Sequence, residues 1–485
     1  MSSSAERDVT TIREFASRCR LSGIRRPRCY FGYSVSTPNE YRGGRRMSGE
    51  PGQVRVREAT FPPPGRQPAG HGANGRRPVV PPRRRVALVT HGLHRNGGVG
   101  SVVDWLYEGL TASGRYTVDV HDLATSVRDT ASRRLLAPRS WRRASLLRRC
   151  DTVPHERYWG ANAVEVEAMR YRPRSELTAA LSRYDCIQVV CGTPAWAAPV
   201  LAAGPPVVVQ MATLVAWERA HRPLRPWRPA DLWRAAMTRL TSRIERSALG
   251  AADAVLVENQ VIFDWVESLG LPNVLLAPPG VDTARFTPSP SGWRADGYLL
   301  SVCRLGDPRK GLDRMVRAYA EALRRRPDLP PLVLAGRGRL TPGVAALVAG
   351  TGLGDRVQVR ADVPADELVA LYQGASVFLQ TSYEEGLGLS AVEAMACGLP
   401  TVITATHGAR ECVADGRTGW LVPLEPADEV SDAVAARLLD ILDTSGPAMA
   451  ESARRRCERL FSRRTALRRF TDTYDRLLAD RTADR

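Results

Sequence analysis

The chain has 485 residues and carries 69 Lys and Arg against 51 Asp and Glu, which gives a formal net charge of +18. This length exceeds what one hydrophobic core usually supports, so it excludes a small single-domain protein and predicts two domains. The basic excess has no motif for reading nucleic-acid bases beside it, which argues against a nucleic-acid-binding protein.

Residues 1–85 form a separate segment at the start of the chain. The segment holds 18 Arg and 6 acidic residues, so it contributes +12 of the net charge and leaves +6 for the remainder. It is rich in Pro, Gly and Ser and has no sustained apolar periodicity, which predicts a disordered extension. No apolar stretch in it has the length of a targeting peptide, and Met47 offers an alternative start that would omit residues 1–46.

From Val86 onward, apolar strand-like runs alternate with helical patterns. The first strand, VALVT, leads into the pair Gly97-Gly98, which opens a helix near 98–112. Repeated strand–helix units predict a parallel sheet with helices on both faces, in a first domain over 86–280. Further strands are predicted over 117–123, 184–190, 206–211, 252–257 and 273–277, and helices over about 174–182, 229–250 and 260–270.

A basic segment, Arg133–Arg149, lies between the early strands of this domain. It contains seven Arg, Trp141, four Leu and no acid. Basic faces with Trp and Leu can bind anionic membranes, so one interpretation is a peripheral contact of a cytoplasmic protein with the inner face of the plasma membrane. The other interpretation is a solvated loop in a chain with a strong arginine bias.

The uncharged run Gly192–Trp217 has the length of a membrane span. Prolines and a glycine interrupt it at Pro199, Gly204, Pro205 and Pro206, so we predict a helix, a turn and a strand in the domain core instead. The nine cysteines show no CxxC pair and no metal-ligand spacing. This usage predicts a reduced, cytoplasmic protein without a metal site.

The second half repeats the alternation of strands and helices. A second parallel-sheet domain is predicted over 281–455, and the chain ends in a long arginine-rich helix over about 448–479. The strands of the second domain are predicted at 298–303, 331–336, 356–360, 376–380 and 400–404.

Lys310 is the only lysine of the chain, so the other 68 basic residues are arginines. It lies six residues after Arg304, at the end of the apolar run Tyr298–Cys303, and Gly311 then opens a helix. Lysine provides a compact point charge, whereas arginine provides a rigid planar fork. Ligands of parallel sheets bind where strands end, so the pair predicts a diphosphate site. A lysine retained by chance on a solvated loop is the alternative.

The stretch SYEEGLGLSAVEAMACGLP places Glu385 and Glu393 eight positions apart, around the turn Gly386–Leu389 and a helix start. Free N–H groups and the positive dipole of a helix N-terminus suit a phosphate or sugar hydroxyls. A carboxylate in the first helical turn suits the two hydroxyls of a ribose, so the pattern predicts a site for a nucleotide-linked sugar. The alternative is that Ser390 and Glu393 form a capping box with a structural role only.

Four ordered motifs resemble the retaining glycosyltransferases of family 4. They are PPGVDTARF (278–286), Arg304 with Lys310, EGLGLSAVEAMACGLP (385–400) and DGRTGWLVP (415–423), with weaker similarity over 86–480. The resemblance implies the GT-B fold: two Rossmann-like, doubly wound parallel-sheet domains that face each other across a cleft, with residues 456–485 forming a helix that crosses back to the first domain.

The resemblance also implies roles for individual residues. Arg304 and Lys310 would hold the donor diphosphate, and together with Glu385 they are the predicted catalytic residues. Glu393 would bind the ribose, and the sugar would be transferred with retention and without a metal ion or a cofactor. The predicted donor-binding residues are Gly97, Gly98, Arg304, Lys310, Glu385, Gly386, Leu387, Gly388, Leu389 and Glu393.

One departure from the family pattern concerns the end of the strand over 206–211. Family members often have a histidine near the donor sugar there, whereas this chain has Ala212. Gln210 or Thr213 is a candidate replacement. So are His91 and His94, which lie beside the Gly97-Gly98 turn.

The expected partners are a nucleoside diphosphate sugar and an acceptor that the sequence does not identify. Secondary metabolites, lipids and growing polysaccharides all remain open as acceptors. An enzyme of the same fold without an acceptor alcohol, such as a sugar-nucleotide epimerase or a phosphorylase, is the alternative function. The PPGVD and EGLGLSAVEA motifs argue against it.

Overall fold

A computed structural model describes residues 83–92, 97–125, 132–142, 148–149, 156–163, 165–220 and 224–483. The extension predicted to be disordered, 1–85, lies almost entirely outside these residues. The described chain forms two lobes, each built on a parallel sheet that carries helices on both faces. This is the architecture that the sequence predicts.

The first lobe contains a sheet of eight strands. All neighbouring strands are parallel except β3 and β4, and the spatial order of the strands is β3-β4-β2-β1-β5-β6-β7-β8. The strands are β1 (Arg84–His91), β2 (Tyr116–Leu123), β3 (Arg148–Arg149), β4 (Glu156–Trp159), β5 (Cys186–Cys191), β6 (Val207–Met211), β7 (Ala254–Val257) and β8 (Val274–Leu276).

Helices cover both faces of this sheet because its central strands are apolar on both sides. In β1, Ala87 and Val89 pack into one core, while Val86 and Leu88 pack into another on the opposite face. The helices of the first lobe are α1 (Gly97–Ala112), α2 (Glu167–Arg170), α3 (Ser175–Leu181), α4 (Val215–Ala220), α5 (Pro229–Ala251) and α6 (Gln260–Glu267).

The second lobe contains a sheet of six strands, all parallel, in the order β11-β10-β9-β12-β13-β14. Alternate residues again enter two cores, for example Leu299 on one face and Leu300 on the other. The strands are β9 (Tyr298–Val302), β10 (Leu332–Gly336), β11 (Val357–Ala361), β12 (Ala375–Gln380), β13 (Thr401–Thr404) and β14 (Gly419–Val422). The helices are α7 (Leu312–Arg325), α8 (Pro342–Gly350), α9 (Glu367–Gln373), α10 (Leu389–Ala396), α11 (His407–Cys412) and α12 (Val430–Asp440).

The end of the chain forms two helices, so the prediction of one helix over 448–479 is wrong. α13 (Gly446–Phe461) and α14 (Arg463–Ala483) are separated by Ser462, whose backbone is extended. The break occurs where the crossover segment, the chain around Val281 that connects the two lobes, lies beside the helix. There Val281 N donates to Phe461 O, and Arg463 N donates to Val281 O. A Cβ on Gly280 would approach Phe461 O to 2.6 Å, so only glycine fits this junction.

The final helix α14 packs on the first lobe. Phe470 meets Trp105 of α1 edge to face, with ring centroids 5.6 Å apart, and both side chains belong to one buried core. Tyr474 donates to Gln188 of β5 at 2.8 Å. This helix therefore connects the second lobe to the first.

The sequence analysis did not predict three strands: β3, β4 and β14. β3 and β4 are short and rich in charged residues, and they form the edge hairpin of the first sheet, so they lack the apolar run that marks a central strand. The run Gly192–Trp217 forms two 3-10 turns, β6 and α4. Among the described residues, no helix combines the length and apolar character needed to cross a membrane.

Candidate active site

A cavity of about 570 Å³ lies between the two lobes, where strands of both sheets end. Its walls come from both lobes, with α1 and the ends of β5, β6 and β7 on one side and the ends of β9 and β10 and the start of α10 on the other. The residues predicted to bind a donor all line this cavity: Gly97, Gly98, Arg304, Lys310, Glu385, Gly386, Leu387, Gly388, Leu389 and Glu393.

Lys310 ends a short 3-10 turn, Pro308–Lys310, that follows β9. The next residue, Gly311, has φ +60°, and a Cβ there would collide with Thr381 O, so the turn requires glycine. Lys310 Nζ lies 2.6 Å from Glu385 Oε1, which also accepts a hydrogen bond from Ser382 Oγ at 2.7 Å. The lone ammonium is therefore held at the cavity wall by a fixed carboxylate.

Arg304 follows β9 and reaches the first lobe. A Cβ built on Gly97 would lie 3.5 Å from Arg304 Cδ, so the arginine stem lies against the start of α1. Its guanidinium pairs with Asp307, at 2.8 Å between Nη2 and Oδ2, and the side chain is 35% exposed. Gly97 and Gly98 lie in the first turn of α1, and Gly98 has open space beside its Cα.

Arg309 is a charged group of the cavity that the sequence analysis missed. It contacts Asp307 Oδ2 at 2.9 Å and Glu384 Oε2 at 3.7 Å in its own lobe. It also contacts Glu218 Oε1 of the first lobe at 2.9 Å. Burial disfavours its charge, but the acidic partners outweigh burial, so the pKa of Arg309 is raised. Its sequence neighbour Lys310 stands out by composition, whereas one arginine among 68 does not.

The glycine turn ends at Gly388, which has φ +90° and is the N-cap residue of α10. The capping-box alternative is therefore wrong, because Ser390 lies inside the helix and its Oγ donates to Gln380 Oε1 at 3.4 Å. The first amides of α10, at Leu389 and Ser390, have no intrahelical acceptor by geometry and belong to residues that line the cavity. These amides are therefore placed where the predicted anion or hydroxyl site would need them.

Glu393 lies in the second turn of α10, not in the first turn as predicted. Tyr372 Oη donates to its Oε2 at 2.7 Å. Burial raises the pKa of Glu393 to about 7, and the hydrogen bond from Tyr372 and the nearby Arg285 act in the opposite direction. The carboxyl group therefore faces the cavity in a largely dehydrated setting.

The candidates for the missing family histidine occupy different places. His91 lines the cavity, stacks on Trp196 with ring centroids 4.3 Å apart, and accepts a hydrogen bond from Gly192 N at 3.3 Å. Burial lowers the pKa of His91 to about 3, so the ring is neutral at pH 7. Thr213 lines the cavity, whereas Gln210 is fully buried behind Glu258. His94 lies outside the described residues.

Glu258 is a second cavity residue that the sequence analysis missed. It follows β7 directly, is 6% exposed, and lines the cavity on the first lobe's side. Burial, followed by the nearby Glu384 and Glu385, raises its pKa to about 8, and the hydrogen bond from Gln210 opposes this shift. No strong sequence signal marks it, since AVLVEN (254–259) is typical of a strand end followed by a helix cap.

The two lobes meet closely at the glycine turn. Asn259 Nδ2 donates to Gly386 O at 2.7 Å, and Gln260 N donates to Glu411 Oε2 at 3.3 Å. A Cβ on Gly386 would lie 2.6 Å from Ala212 O, so this close approach requires glycine. In the described part of the chain, no group of three or more His, Cys, Asp or Glu side chains is arranged to hold a metal ion.

Two family models match the chain, one for each lobe. The model described as Glycosyltransferase Family 4 matches residues 96–285, and the model described as Glycosyl transferases group 1 matches residues 290–456. The second match contains the Arg304, Lys310, Glu385 and Glu393 positions of the cavity.

Curated relatives share about a third of the aligned residues. A GDP-mannose-dependent alpha-(1-6)-phosphatidylinositol monomannoside mannosyltransferase of Mycolicibacterium smegmatis is 35% identical over 181 residues, which are 34% of this chain and 46% of the relative. A D-inositol 3-phosphate glycosyltransferase of Kribbella flavida is 36% identical over 192 residues, 36% of this chain and 45% of the relative. The chain thus spans about half the length of these relatives.

Solved structures share the fold at lower sequence identity. Sucrose-phosphate synthase from Thermosynechococcus elongatus superimposes with a TM-score of 0.60 and 22% identity, over 82% of this chain and 100% of that one. HepE from Anabaena, in complex with UDP-glucose, gives a TM-score of 0.58 and 17% identity, over 81% of this chain and 100% of that one. Both likenesses concern the two-lobed architecture.

Proposed function

The chain belongs to the group 1 glycosyltransferases of the GT-B fold, and from that premise we propose that it moves a hexose from a nucleoside diphosphate sugar to an acceptor hydroxyl. The proposed transfer retains the anomeric configuration and uses neither a metal ion nor a further cofactor. The observation that carries the proposal is the convergence of Arg304, Lys310, Glu385 and Glu393 on one cavity between the lobes.

The second lobe supplies the groups that the leaving nucleoside diphosphate needs. Its departure builds negative charge on the β-phosphate, and fixed cations aimed at that charge lower the barrier. We assign this role to the ammonium of Lys310 and the guanidinium of Arg304. The first amides of α10 add the positive end of a helix dipole.

Glu385 acts in this proposal by position and charge, without forming a covalent bond. Its Oε1 accepts both from Lys310 Nζ and from Ser382 Oγ, so the carboxylate orients the ammonium while its remaining oxygen is available to a sugar hydroxyl. The acceptor hydroxyl attacks from the side that the leaving group departs from, and a donor phosphate oxygen takes its proton. Glu393, on the second turn of α10, receives the ribose.

Binding of the donor can be measured without knowing the acceptor. We expect one of UDP-, GDP- or dTDP-sugars to raise the unfolding temperature of the full chain. A ligand at 100 times its Kd stabilises the folded state by about 2.7 kcal/mol. Arg304→Ala and Glu393→Ala should each reduce the shift, whereas Arg417→Ala, an exposed residue of the second lobe, should not. If no nucleotide or nucleotide sugar shifts the transition, the proposed function is wrong.

The names of relatives and neighbours leave the donor nucleotide open between two chemistries. The mannosyltransferase of M. smegmatis is named for GDP-mannose, and the Anabaena structure holds UDP-glucose. The first binding experiments should therefore compare GDP with GDP-mannose and UDP with UDP-glucose. In this proposal, the loops of the first lobe select the acceptor, which is a lipid, a secondary metabolite or a polysaccharide.

We also propose a peripheral contact of this cytoplasmic enzyme with the inner face of the plasma membrane. Part of the segment Arg133–Arg149 is described, and there Leu136 is 86% exposed and Trp141 is 44% exposed. Trp141 Nε1 donates to Arg134 O, so the indole is held at the surface by its polar edge. An apolar body with a fixed polar edge suits a membrane interface.

A second surface of the first lobe supports this contact, and the sequence analysis missed it. Residues 224–246 include α5, and they expose Trp227 by 77% and Trp233 by 56%. The segment has six Arg, and its two acids, Asp231 and Glu245, are buried. Its exposed face is therefore basic and aromatic, as an anionic bilayer requires. The sequence analysis predicted a helix over about 229–250 but did not examine which of its faces is exposed.

Liposome flotation tests the membrane contact. We expect the wild type to float with vesicles of phosphatidylglycerol and phosphatidylcholine, but not with phosphatidylcholine alone. Replacing Trp227 and Trp233 by Ser should abolish flotation, as should replacing Arg142 and Arg143 by Glu. The matched control, Arg410 and Arg417 replaced by Glu on the second lobe, should float as the wild type does. Flotation that none of these changes affects would contradict the proposal.

A further inference from the structure

Among the residues that the structure describes, none provides a cation to balance the carboxyl group of Glu258. Its polar partner is Gln210, whose Nε2 lies 3.4 Å from Glu258 Oε1, and no Arg or Lys of the described chain forms an ion pair with it. The residue is 6% exposed, yet it lines the cavity between the lobes. A buried, unpaired carboxyl group is costly to keep charged, so a protein retains one where it has a task.

The surroundings of Glu258 favour its neutral form. Its own pKa is raised to about 8 by burial and then by Glu384 and Glu385 of the glycine-turn loop. The charge of Glu258 also acts on Cys191 of β5 and Cys412 of α11, and burial raises the pKa of both thiols well above the ordinary value. At neutral pH the group is therefore an acid with an O–H to donate, beside groups that carry no positive charge.

Glu258 lies against the turn that we assign to the donor sugar. A Cβ built on Gly386 would be 3.0 Å from Glu258 Oε2 and 2.9 Å from the side chain of Ala212. Asn259, the next residue, is the N-cap of α6 and donates to Gly386 O, which fixes the strand end against the turn. Ala212 has no polar side-chain atom, so the polar side chains of the first lobe at this contact are those of Glu258 and Asn259.

Gln210 positions this carboxyl group from behind. The amide is fully buried on β6, and its Nε2 also lies 3.4 Å from Ala277 O. Its Oε1 has no hydrogen-bond partner among the described residues. Glu258 Oε1 accepts the hydrogen bond from Gln210. The other carboxyl oxygen can therefore carry the proton and donate it into the cavity.

We propose that Glu258 is a specificity-determining residue that donates its carboxyl O–H to a hydroxyl oxygen of the donor hexose. The proposal rests on the proposed function and names its donor class: an uncharged hexose with a free hydroxyl at this position. A hexuronic acid is rejected because its carboxylate would be buried beside Glu384 and Glu385. A site that is built to bond a hydroxyl discriminates strongly against a sugar that lacks it.

The experiment compares each nucleotide with its own sugar derivative. Calorimetric titration of the full chain with UDP, UDP-glucose, GDP and GDP-mannose gives the affinity that the sugar adds to the nucleotide. We expect Glu258→Ala to bind the nucleotides with the affinity of the wild type. The extra affinity that the sugar adds to the nucleotide should be about tenfold smaller in this variant. Glu258→Gln should retain most of it, since an amide N–H can replace the acid O–H. UDP-glucuronic acid should bind the wild type no more tightly than UDP.

A pH series separates this role from a structural one. As the pH rises through about 8, the wild-type Glu258 loses its proton and the sugar's contribution should fall, whereas Glu258→Gln should show no such fall. Glu245→Gln is the matched control: Glu245 is buried in the same lobe, burial raises its pKa to about 7, and it accepts from Val215 N away from the cavity. This variant should keep the wild-type profile.

The outcomes distinguish the two proposals. If Glu258→Ala keeps the full contribution of every sugar that the wild type binds, the role of Glu258 is wrong while the enzyme class stands. If Glu258→Ala does not fold, the pH profile of Glu258→Gln decides, and a profile like the wild type's overturns the role. If the wild type binds none of the four probes and no dTDP-sugar either, the proposed function itself fails.

Discussion

The two lobes present different chemistry to the cavity that they share. The wall of the second lobe carries ion pairs, with Lys310 against Glu385 and Arg304 against Asp307. The wall of the first lobe includes the acids Asp104, Glu108 and Glu218, and it also carries two groups that burial keeps neutral, His91 with a pKa of about 3 and Glu258 with a pKa of about 8. In the proposed function, the wall of the second lobe stabilises the charge that develops during transfer. In the further proposal, Glu258 on the wall of the first lobe selects a neutral sugar by a hydrogen bond.

The charged wall is tested most directly at Lys310. Lys310→Met removes the ammonium with little change in side-chain length. We expect the barrier to transfer to rise by about 2–4 kcal/mol, which lowers kcat by roughly 30-fold to 1,000-fold, because one preorganised charge that faces the leaving group is lost. Single-turnover hydrolysis or transfer of the cognate donor measures it. Lys310→Arg should recover little, since a planar fork does not replace a point charge in this pair.

Arg324→Met is the control for Lys310. Its side chain is 73% exposed on α7, where it pairs with Glu321 away from the cavity. The control should transfer at the wild-type rate. A Lys310→Met enzyme that does the same would show that the charged wall does not act on the leaving group.

The contact between the two walls is tested at Gly386. The added methyl group of Gly386→Ala would meet the backbone oxygen of Ala212 and the carboxyl of Glu258, and a backbone atom cannot move aside as a flexible side chain can. Overpacking of this kind costs about 1–3 kcal/mol, which we expect as weaker donor-sugar binding and a lower unfolding temperature. Gly250→Ala in α5 has open space around it and should change neither.

The sequence predicted the charged wall far better than the neutral one. Lys310 was visible because it is the only lysine, and Glu385 and Glu393 were visible because glycines and a helix start lie between them. Glu258 and Arg309 carry no such mark. Their importance comes from a carboxyl group buried without a cation and from an ion pair across two lobes, and both depend on distances between residues far apart in sequence.

The prediction of the fold also succeeded for some elements and failed for others. Central strands such as β1 and β5 are continuous apolar runs, so the sequence locates them within about two residues. The edge strands β3 and β4 have no such run, and the break at Ser462 depends on the crossover segment at Val281, which no helical pattern within 448–479 contains.

Glu258, on the wall of the first lobe, makes the free energy of unfolding depend on pH. The pKa of Glu258 is raised from 4.5 to about 8 in the folded chain. The folded state therefore keeps a proton that the unfolded state releases. Its contribution to the free energy of unfolding is fully present below pH 4.5 and is lost as the pH rises toward 8. We expect the wild type to lose on the order of 1–3 kcal/mol more than Glu258→Gln over this range, measured by denaturant titration. Parallel pH curves for the two proteins would show that Glu258 ionises as it does in water.

The smallest effect is expected at the ion pair that joins the walls, Arg309 with Glu218. Arg309 is 18% exposed and Glu218 is 38% exposed, so solvent screens the pair and its coupling should be about 1 kcal/mol or less. Because the two residues belong to different lobes, the coupling should appear in KM and kcat together, as expected for a contact that controls closure of the cavity.

A double-mutant cycle of Arg309→Gln and Glu218→Gln measures this coupling, since each change alone also disturbs Asp307 and Glu384 around the arginine. If the two changes add without coupling in kcat/KM, this ion pair does not help to hold the lobes together, and the contacts of Asn259 with Gly386 and of Gln260 with Glu411 remain. If they couple and the coupling weakens as salt is raised, the charged wall also helps to close the cavity on its substrate.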